Sequence, residues 1–389
     1  MAAHCAAGDV DSELVFCASI GDDEQVRRRV YDGGANVNTL VRTLVSEGAK
    51  HQSTFAGHAS SPWAQVSSRG LPKKLHYDDG LSPMMAAALG GNTGTVKLLL
   101  ELNALPDSLN LANETALMMA AGSGKERVVQ LLLQPGEDKS GQAMRPATAD
   151  LADLYGFTAL HKAANCGHAE VCRILVKNGA SYSARDKANM TPLLLAAAQG
   201  RVGAVTVLLE SGASADSRGA EGATALAVAA AQGRTGACIA LLKGGATVDL
   251  TDEYGVTPLA LAAEMGHTST VTELLRFGAE LDRRVLEEQR SAFHLACFGG
   301  HRDCAAELLR AGCDKSLVDS TGQTGLGLAN LTGNGQVIAE QLEEVEQERL
   351  VALSVSICQL GLCSSRCVSV QIGLKFLCCT CCAVASVGT

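Results

Sequence analysis

The stretch GVTPLALAAEMGH, residues 255–267, decides the fold because its pattern returns along most of the chain. Its glycine at position 266 belongs to a column of eight glycines separated by 33, 43, 33, 33, 33, 34 and 33 residues. Nine residues before each glycine stands a Ser or Thr, and five residues after that hydroxyl stands an Ala. Three columns that agree eight times identify an internal repeat. The columns are Gly91, Gly124, Gly167, Gly200, Gly233, Gly266, Gly300 and Gly333; Ser82, Thr115, Thr158, Thr191, Thr224, Thr257, Ser291 and Thr324; and Ala87, Ala120, Ala163, Ala196, Ala229, Ala262, Ala296 and Ala329.

Each column has a physical reason. A Ser or Thr before an apolar run caps the amino end of a helix, and glycine ends a helix because it adopts positive φ at no steric cost. The Ala column suits two helices that pack closely. A second helix follows with one apolar face, as in Val271, Leu274 and Leu275, and stops at Gly278. The pattern therefore predicts a short helix, a turn, a second helix and an extended turn in every repeat.

This unit resembles the ankyrin repeat, most clearly in GFTALHKAANCGH (156–168) and GVTPLALAAEMGH (255–267). The resemblance implies an all-α repeat solenoid of ankyrin-type helix-turn-helix repeats joined by β-turn or hairpin fingers. Eight repeats are recognisable over 77–345. Residues 1–38 read as a degenerate amino-terminal capping repeat, 39–76 as an irregular insertion or linker, and 346–389 as a carboxy-terminal helix extension with a Cys-rich tail.

Two longer interruptions leave alternatives open. Residues 39–76 read either as a decayed repeat with a loop or as a binding loop centred on Trp63, the sole tryptophan. Ten extra residues near 137–152 lengthen one finger, either as neutral variation or as a dedicated contact.

Composition excludes several classes of function. The formal net charge is −9 and aromatic residues make up 3 % of the 389 residues, which argues against a nucleic-acid binder. The start of the chain does not resemble a secretory signal, and the longest uncharged run of the tail, 350–365, is too short to span a membrane. We expect a cytoplasmic protein with reduced cysteines; nuclear and peripheral-membrane locations are the alternatives.

The tail has a character of its own, since seven of the 15 cysteines lie between Cys358 and Cys382. A zinc site is disfavoured because the cluster is too tight and no His is near. S-acylation would attach the chain to a membrane surface, and a non-functional extension is the third alternative. The candidates for lipidation are Cys378, Cys379, Cys381 and Cys382.

Enzyme signatures are present only as incomplete matches. Gly122-Ser-Gly-Lys125 is similar to a phosphate-binding loop but has Met119 where the first glycine should stand. His168, His267 and His301 share one repeat column, so we expect a structural role for them. The sequence therefore predicts no catalysis, no cofactor and no metal.

The resemblance implies binding instead, on the concave surface made by the turn tips and the exposed side of the first helices. We expect a monomeric protein–protein adaptor or scaffold whose partner is unidentified. A membrane-tethered scaffold and a regulatory subunit of an enzyme complex are the alternatives. We expect the aromatic and methionine residues among the partner-binding candidates to be exposed. The candidates are Tyr155, Phe157, Asn165, Lys187, Met190, Gln199, Glu221, Gln232, Glu253, Tyr254, Met265 and Phe298.

Overall fold

The structure is a computed structural model that describes residues 10–38, 80–137, 141–285 and 287–359. The insertion expected at 39–76 and the candidate lipidation cysteines at 378–382 lie outside these described residues. Within them the chain forms 18 α-helices and no β-strand; two isolated β-bridges join Glu137 to Ala143 and Arg218 to Thr224. The all-helical repeat architecture expected from the sequence is confirmed.

The helices alternate between two stacks. The first helices of the repeats are α1 (Val10–Ile20), α3 (Pro83–Gly90), α5 (Ala116–Gly122), α7 (Ala159–Cys166), α9 (Pro192–Ala198), α11 (Ala225–Ala231), α13 (Pro258–Glu264), α15 (Ala292–Phe298) and α17 (Gly325–Leu331). The second helices are α2 (Asp23–Tyr31), α4 (Thr93–Glu101), α6 (Glu126–Leu133), α8 (Ala169–Lys177), α10 (Val202–Glu210), α12 (Thr235–Lys243), α14 (Thr268–Arg276), α16 (Arg302–Ala311) and α18 (Gly335–Gln359).

Each first helix packs against the first helix of the next repeat, and from α2 to α16 the second helices pack in the same order. The Ala column lies between the first helices, and all eight of its alanines have no exposed surface. A larger side chain at these positions would separate neighbouring repeats, which is why the column holds only alanine.

The hydroxyl and glycine columns do what the pattern predicts. Thr257 Oγ1 accepts the backbone N–H of Ala260 at 3.2 Å, and the equivalent Thr224 accepts that of Ala227 at 3.1 Å. All eight glycines of the column have positive φ, between 63° and 88°. Of the eight first helices from α3 onward, six are seven residues long and two, α3 and α7, are eight residues long, so each ends close to its glycine.

A ladder of side-chain bonds joins consecutive repeats at the start of the second helices. Arg201 Nε donates to Asn165 O at 3.2 Å, and Arg234 Nε donates to Ala198 O at 3.3 Å. The histidines of the same column act in the same way: His267 Nε2 donates to the carbonyl of Ala231 at 3.1 Å. These donors satisfy carbonyl groups that would otherwise be orphaned at the ends of the first helices. His168 and His301 make equivalent bonds, to Gly122 O and Glu264 O.

The described chain divides into two compact units after Gln341. The first unit holds the repeats. The last helix, α18, is 25 residues long and contains the acidic stretch from Glu340 to Arg349 that the sequence predicted to be helical. No helix among the described residues is long and apolar enough to cross a membrane.

Candidate binding surface

The fingers between repeats are tight turns built on aspartate. Asp153 Oδ1 accepts the backbone N–H groups of Tyr155 and Phe157 at 2.8 and 2.9 Å. Asp252 Oδ1 accepts those of Tyr254 and Val256 at 2.9 and 2.8 Å. An aspartate that bonds the backbone two and four residues on fixes the turn in one conformation. The two tyrosines at the finger tips are therefore held at the surface by their own backbones.

Neighbouring fingers are joined tip to tip. Lys187 N donates to Tyr155 O at 3.0 Å, and Glu253 N donates to Glu221 O at 3.1 Å. The same bond links Leu154 N to Ala112 O. We call the tip residues 111–112, 154–155, 187–188, 220–221, 253–254, 287–288 and 320–321 the finger row. Backbone hydrogen bonds join four of the six neighbouring pairs in this row, the fourth being Ser320 N to Glu288 O. Side chains on the joined fingers therefore present a preorganised surface.

Six of the twelve partner-binding candidates are exposed, three of them aromatic and three charged. Tyr155, Tyr254 and Phe298 are 66 %, 42 % and 44 % exposed. An exposed aromatic side chain is the type of residue that most often contributes strongly to a protein–protein interface. Gln199, Gln232 and Met265 are half-buried on the first-helix side. The three charged members that are exposed are Lys187, Glu221 and Glu253.

Two candidates, Met190 and Asn165, are buried, and for Met190 the expected exposure was wrong. Met190 is 4 % exposed because its side chain packs under the next finger, where a Cβ on Gly219 would lie 3.3 Å from Met190 Sδ. Its carbonyl also bonds His161 Nε2 at 3.2 Å. Asn165 is 6 % exposed because Arg201 of the next repeat covers the end of its helix.

Phe157 is half-buried because it takes part in a charged cluster. Its ring lies edge-on to His161 at 5.8 Å, and Lys162 Nζ lies 5.4 Å from the ring centroid. Lys162 Nζ also lies 2.8 Å from Glu114 Oε1 and 2.8 Å from Asp153 Oδ2. Burial alone would lower the pKa of Lys162, but the two carboxylates outweigh burial and raise it.

Sequence analysis missed an apolar group on the finger row. Leu109, Leu111 and Leu154 are 42–50 % exposed and lie on the fingers next to Tyr155. A signal was present: Leu111 and Leu154 occupy a turn position that holds Lys187 or Glu253 in later repeats. Exposed apolar side chains that cluster mark an interaction site more reliably than single ones.

The charge of the finger row changes sign along the array. Lys187 is exposed on the earlier fingers, whereas Glu221, Glu253, Glu287 and Glu288 are exposed on the later ones. The row therefore offers an apolar group near Tyr155 and an acidic group from residue 221 onward. Such an arrangement can orient a partner as well as bind it.

Possible metal ligands and buried thiols were compared across the part of the chain that the structure describes. No three His, Cys, Asp or Glu side chains among them are placed to hold a metal ion. Burial raises the pKa of the Cys172, Cys238 and Cys297 thiols to about 12, so these thiols stay protonated at neutral pH and behave as apolar fillers. Burial also lowers the pKa of His267, which keeps the ring in its neutral form.

Comparison with protein-family models gives ankyrin repeats between residues 35 and 320. A model of three-copy ankyrin repeats matches residues 35–143, 141–219 and 211–285, and a single ankyrin repeat matches 288–320. The matches begin at residue 35, within the region that the sequence analysis separated from the array.

Several curated proteins are similar through their repeats. Inversin of Danio rerio is 33 % identical over 98 residues, or 25 % of this chain and 9 % of inversin. The E3 ubiquitin-protein ligase XBAT33 of Arabidopsis thaliana is 38 % identical over 112 residues, or 28 % of this chain and 19 % of the ligase. The transient receptor potential cation channel subfamily A member 1 of Drosophila melanogaster is 30 % identical over 160 residues, covering 40 % of this chain and 13 % of the channel. The chain thus spans less than a fifth of the length of each of these relatives.

A solved structure has the same fold. The ankyrin repeat domain of human ASB11 matches 59 % of this chain and 98 % of its own length, with a TM-score of 0.51 and 23 % identity. This likeness concerns the fold alone.

Proposed function

Because the chain belongs to the ankyrin repeat family, we propose that it is a protein–protein interaction adaptor or scaffold that holds its partner along the finger row and does no catalysis itself. Ankyrin repeats generally mediate protein–protein interaction, and the array binds through an extended surface instead of a pocket. The finer assignment rests on one observation. Aromatic residues stand exposed on fingers whose backbones bond one another, at Tyr155 and Tyr254.

Physical reasoning supports this choice of surface. An exposed aromatic ring offers a large apolar area at little conformational cost, and a rigid turn spares the ordering entropy that a flexible loop would lose on binding. The apolar neighbours Leu111 and Leu154 extend the patch, and the charged tips beside it provide a polar rim.

The test compares two double variants of the full chain. Tyr155→Glu/Tyr254→Glu places charges on the finger row. Tyr182→Glu/Phe277→Glu is the matched control, since these aromatics are similarly exposed, at 37 % and 39 %, but lie outside the row, in the segments that follow α8 and α14. Circular dichroism checks that both variants fold.

Partners captured by the tagged chain from cell extract are then quantified against the wild type. The proposal expects at least one specific partner to be lost with the finger-row variant and kept with the control. Equal recovery with both variants contradicts the proposal.

A membrane-attached form of the same scaffold is a second candidate, and the observation that favours it is the cluster of four cysteines within residues 378–382. Two or more acyl chains are needed for stable attachment, and this cluster could carry them. Its test is described with the other predictions below.

A further inference from the structure

One buried carboxylate oxygen, on the residue just before tip residues 253–254 of the finger row, has no hydrogen-bond or ion-pair partner among the described residues. Asp252 is 5 % exposed, and its Oδ1 is fully used by the backbone N–H groups of Tyr254 and Val256. Its Oδ2 is buried and accepts no hydrogen bond. A buried carboxylate without a counter-charge is costly, so this oxygen is a site where a cation would be strongly favoured.

The repeats show which direction a cation must come from. At the equivalent Asp153, Oδ2 lies 2.8 Å from Nζ of Lys162, the fourth residue after the helix cap. At the equivalent Asp319, Oδ2 lies 3.4 Å from Nε of Arg290, the residue before the helix cap of the preceding repeat. Both cations reach the carboxylate from the face of the array that the first helix and the fingers share.

Neither of these cations has an equivalent beside Asp252. The position of Lys162 is held by Leu261 in the same repeat, and the position of Arg290 is held by Ala223 in the preceding repeat. The array therefore neutralises two of these three buried aspartates from within and leaves the third for a cation from outside. Because the repeat geometry is shared, Asp252 Oδ2 faces the same side of the array as its two equivalents.

The surroundings of Asp252 are acidic. Burial raises its pKa, and the charges of Glu221 and Glu253 raise it further. No ion pair is formed by Glu221 or Glu253 within the described residues.

The two cations close to this region are already engaged. Arg218 Nη1 donates to the carbonyls of Gly222 and Thr251 at 2.9 and 2.8 Å. Arg290 lies 2.6 Å from Glu288 Oε2 and stacks 5.0 Å from the Phe298 ring centroid. Neither cation forms an ion pair with Asp252.

We propose that Glu221, Asp252 and Glu253 form an acidic site that receives a Lys or Arg side chain from a basic segment of the protein partner. This inference rests on the proposed function and names the chemistry of the partner. A metal ion does not fit, since no three ligands in the described chain converge on one point. A long basic side chain fits better, because it can place its charge against a recessed carboxylate while its apolar stem lies along the surface near Tyr254.

The test measures direct binding of a defined probe to the purified full chain. The probe is a fluorescein-labelled peptide of alternating Lys and Ala about 12 residues long, a length that spans about three to four fingers. A peptide of alternating Glu and Ala is the control. Fluorescence anisotropy gives the dissociation constant at about 20 mM and about 300 mM salt.

Two variants with equal charge changes separate the site from general acidity. Glu221→Gln/Asp252→Asn/Glu253→Gln removes three charges from the site. Glu170→Gln/Glu210→Gln/Glu273→Gln removes three charges from the second helices. The inference expects the first variant to weaken binding of the Lys peptide about tenfold or more and the second to change it less than about threefold.

A third variant fills the site from within. Leu261→Lys gives Asp252 the counter-charge that Asp153 already has, so it should also weaken peptide binding about tenfold while the melting temperature stays equal or rises. Equal loss in both triple variants, unchanged affinity in Leu261→Lys, or binding of the Glu peptide as tight as that of the Lys peptide overturns the inference. The proposed function fails separately, when the capture experiment shows every partner retained by Tyr155→Glu/Tyr254→Glu.

Discussion

Replacing Lys162 by leucine tests the electrostatics of the array most severely. The substitution gives Asp153 the same neighbour that Asp252 has, because Leu261 stands at the position of Lys162 in the repeat of Asp252. Lys162 Nζ lies 2.8 Å from both Glu114 Oε1 and Asp153 Oδ2. The side chains of the three residues are 13 %, 17 % and 1 % exposed. Lys162→Leu removes the cation and strands the Asp153 carboxylate.

The magnitude follows from distance and burial. At an effective dielectric constant of about 20, the attraction between unit charges 2.8 Å apart is about 6 kcal/mol. Most of that attraction offsets the desolvation of the charges, and removing one partner of a buried pair costs about 3–5 kcal/mol in measured cases. Glu114 lies nearer the rim and regains water, so we expect a loss of about 3 kcal/mol in the free energy of unfolding.

Urea denaturation followed by circular dichroism at 222 nm measures this loss. Arg173→Leu is the control, because Arg173 pairs with Glu170 and Glu210 at the surface; it should lose less than about 1 kcal/mol. Lys162→Leu/Asp153→Asn removes both charges and should recover at least 1 kcal/mol relative to Lys162→Leu, about the size of an interaction energy between neighbours. A loss in Lys162→Leu no larger than that in Arg173→Leu would refute the argument that this pair is buried and coupled.

The remaining predictions concern packing, pH and the tail. Ala229→Leu should lower the free energy of unfolding by about 1–3 kcal/mol, since Ala229 has no exposed surface between first helices, whereas Ala188→Leu on an exposed finger should change it by less than about 0.5 kcal/mol in the same urea assay. Burial lowers the pKa of three histidines in the folded chain. The unfolded chain therefore binds more protons than the folded chain as pH falls through about 6.5, so the free energy of unfolding should decline from pH 7.5 to 5.5. A urea midpoint that stays constant over this range would contradict the prediction. The histidines are His161, His267 and His294. If the tail cysteines are acylated, the full chain should sediment with membranes and a chain ending at residue 353 should not, and equal distribution of the two forms excludes tethering.

The three repeat columns predicted most of the fold. The hydroxyl, glycine and alanine positions each have one local physical role, so their spacing predicted caps, positive φ and close helix contacts that the structure contains. Gly233 with φ 63° and Ala229 with no exposed surface are examples. A residue whose role is fixed by its own repeat is readable from sequence alone.

The binding surface could be predicted only in part, because the exposure of its side chains depends on the next repeat. Met190 occupies a turn position like that of Phe157, yet Gly219 of the following finger leaves room for its side chain to turn inward. Leu111 and Leu154 become neighbours through a bond between two fingers, Leu154 N to Ala112 O.

The charged clusters were not foreseen for the same reason. The pairing of Lys162 with Glu114 joins residues 48 positions apart, across the ten-residue interruption of the repeat period. The lack of a cation beside the Asp252 carboxylate becomes visible only when the repeats are compared in three dimensions.

Site-directed photocross-linking tests the central claim, that a partner binds along the finger row, most directly. p-Benzoylphenylalanine replaces Tyr155 or Tyr254 on the finger row. The control positions are Val202, which begins α10, and Phe277, which follows α14; their side chains are 45 % and 39 % exposed. Irradiation in cells followed by mass spectrometry identifies the adducts. We predict the same partner cross-linked from positions 155 and 254 and absent from 202 and 277. Adducts that form from positions 202 and 277 and not from the finger row would contradict the claim.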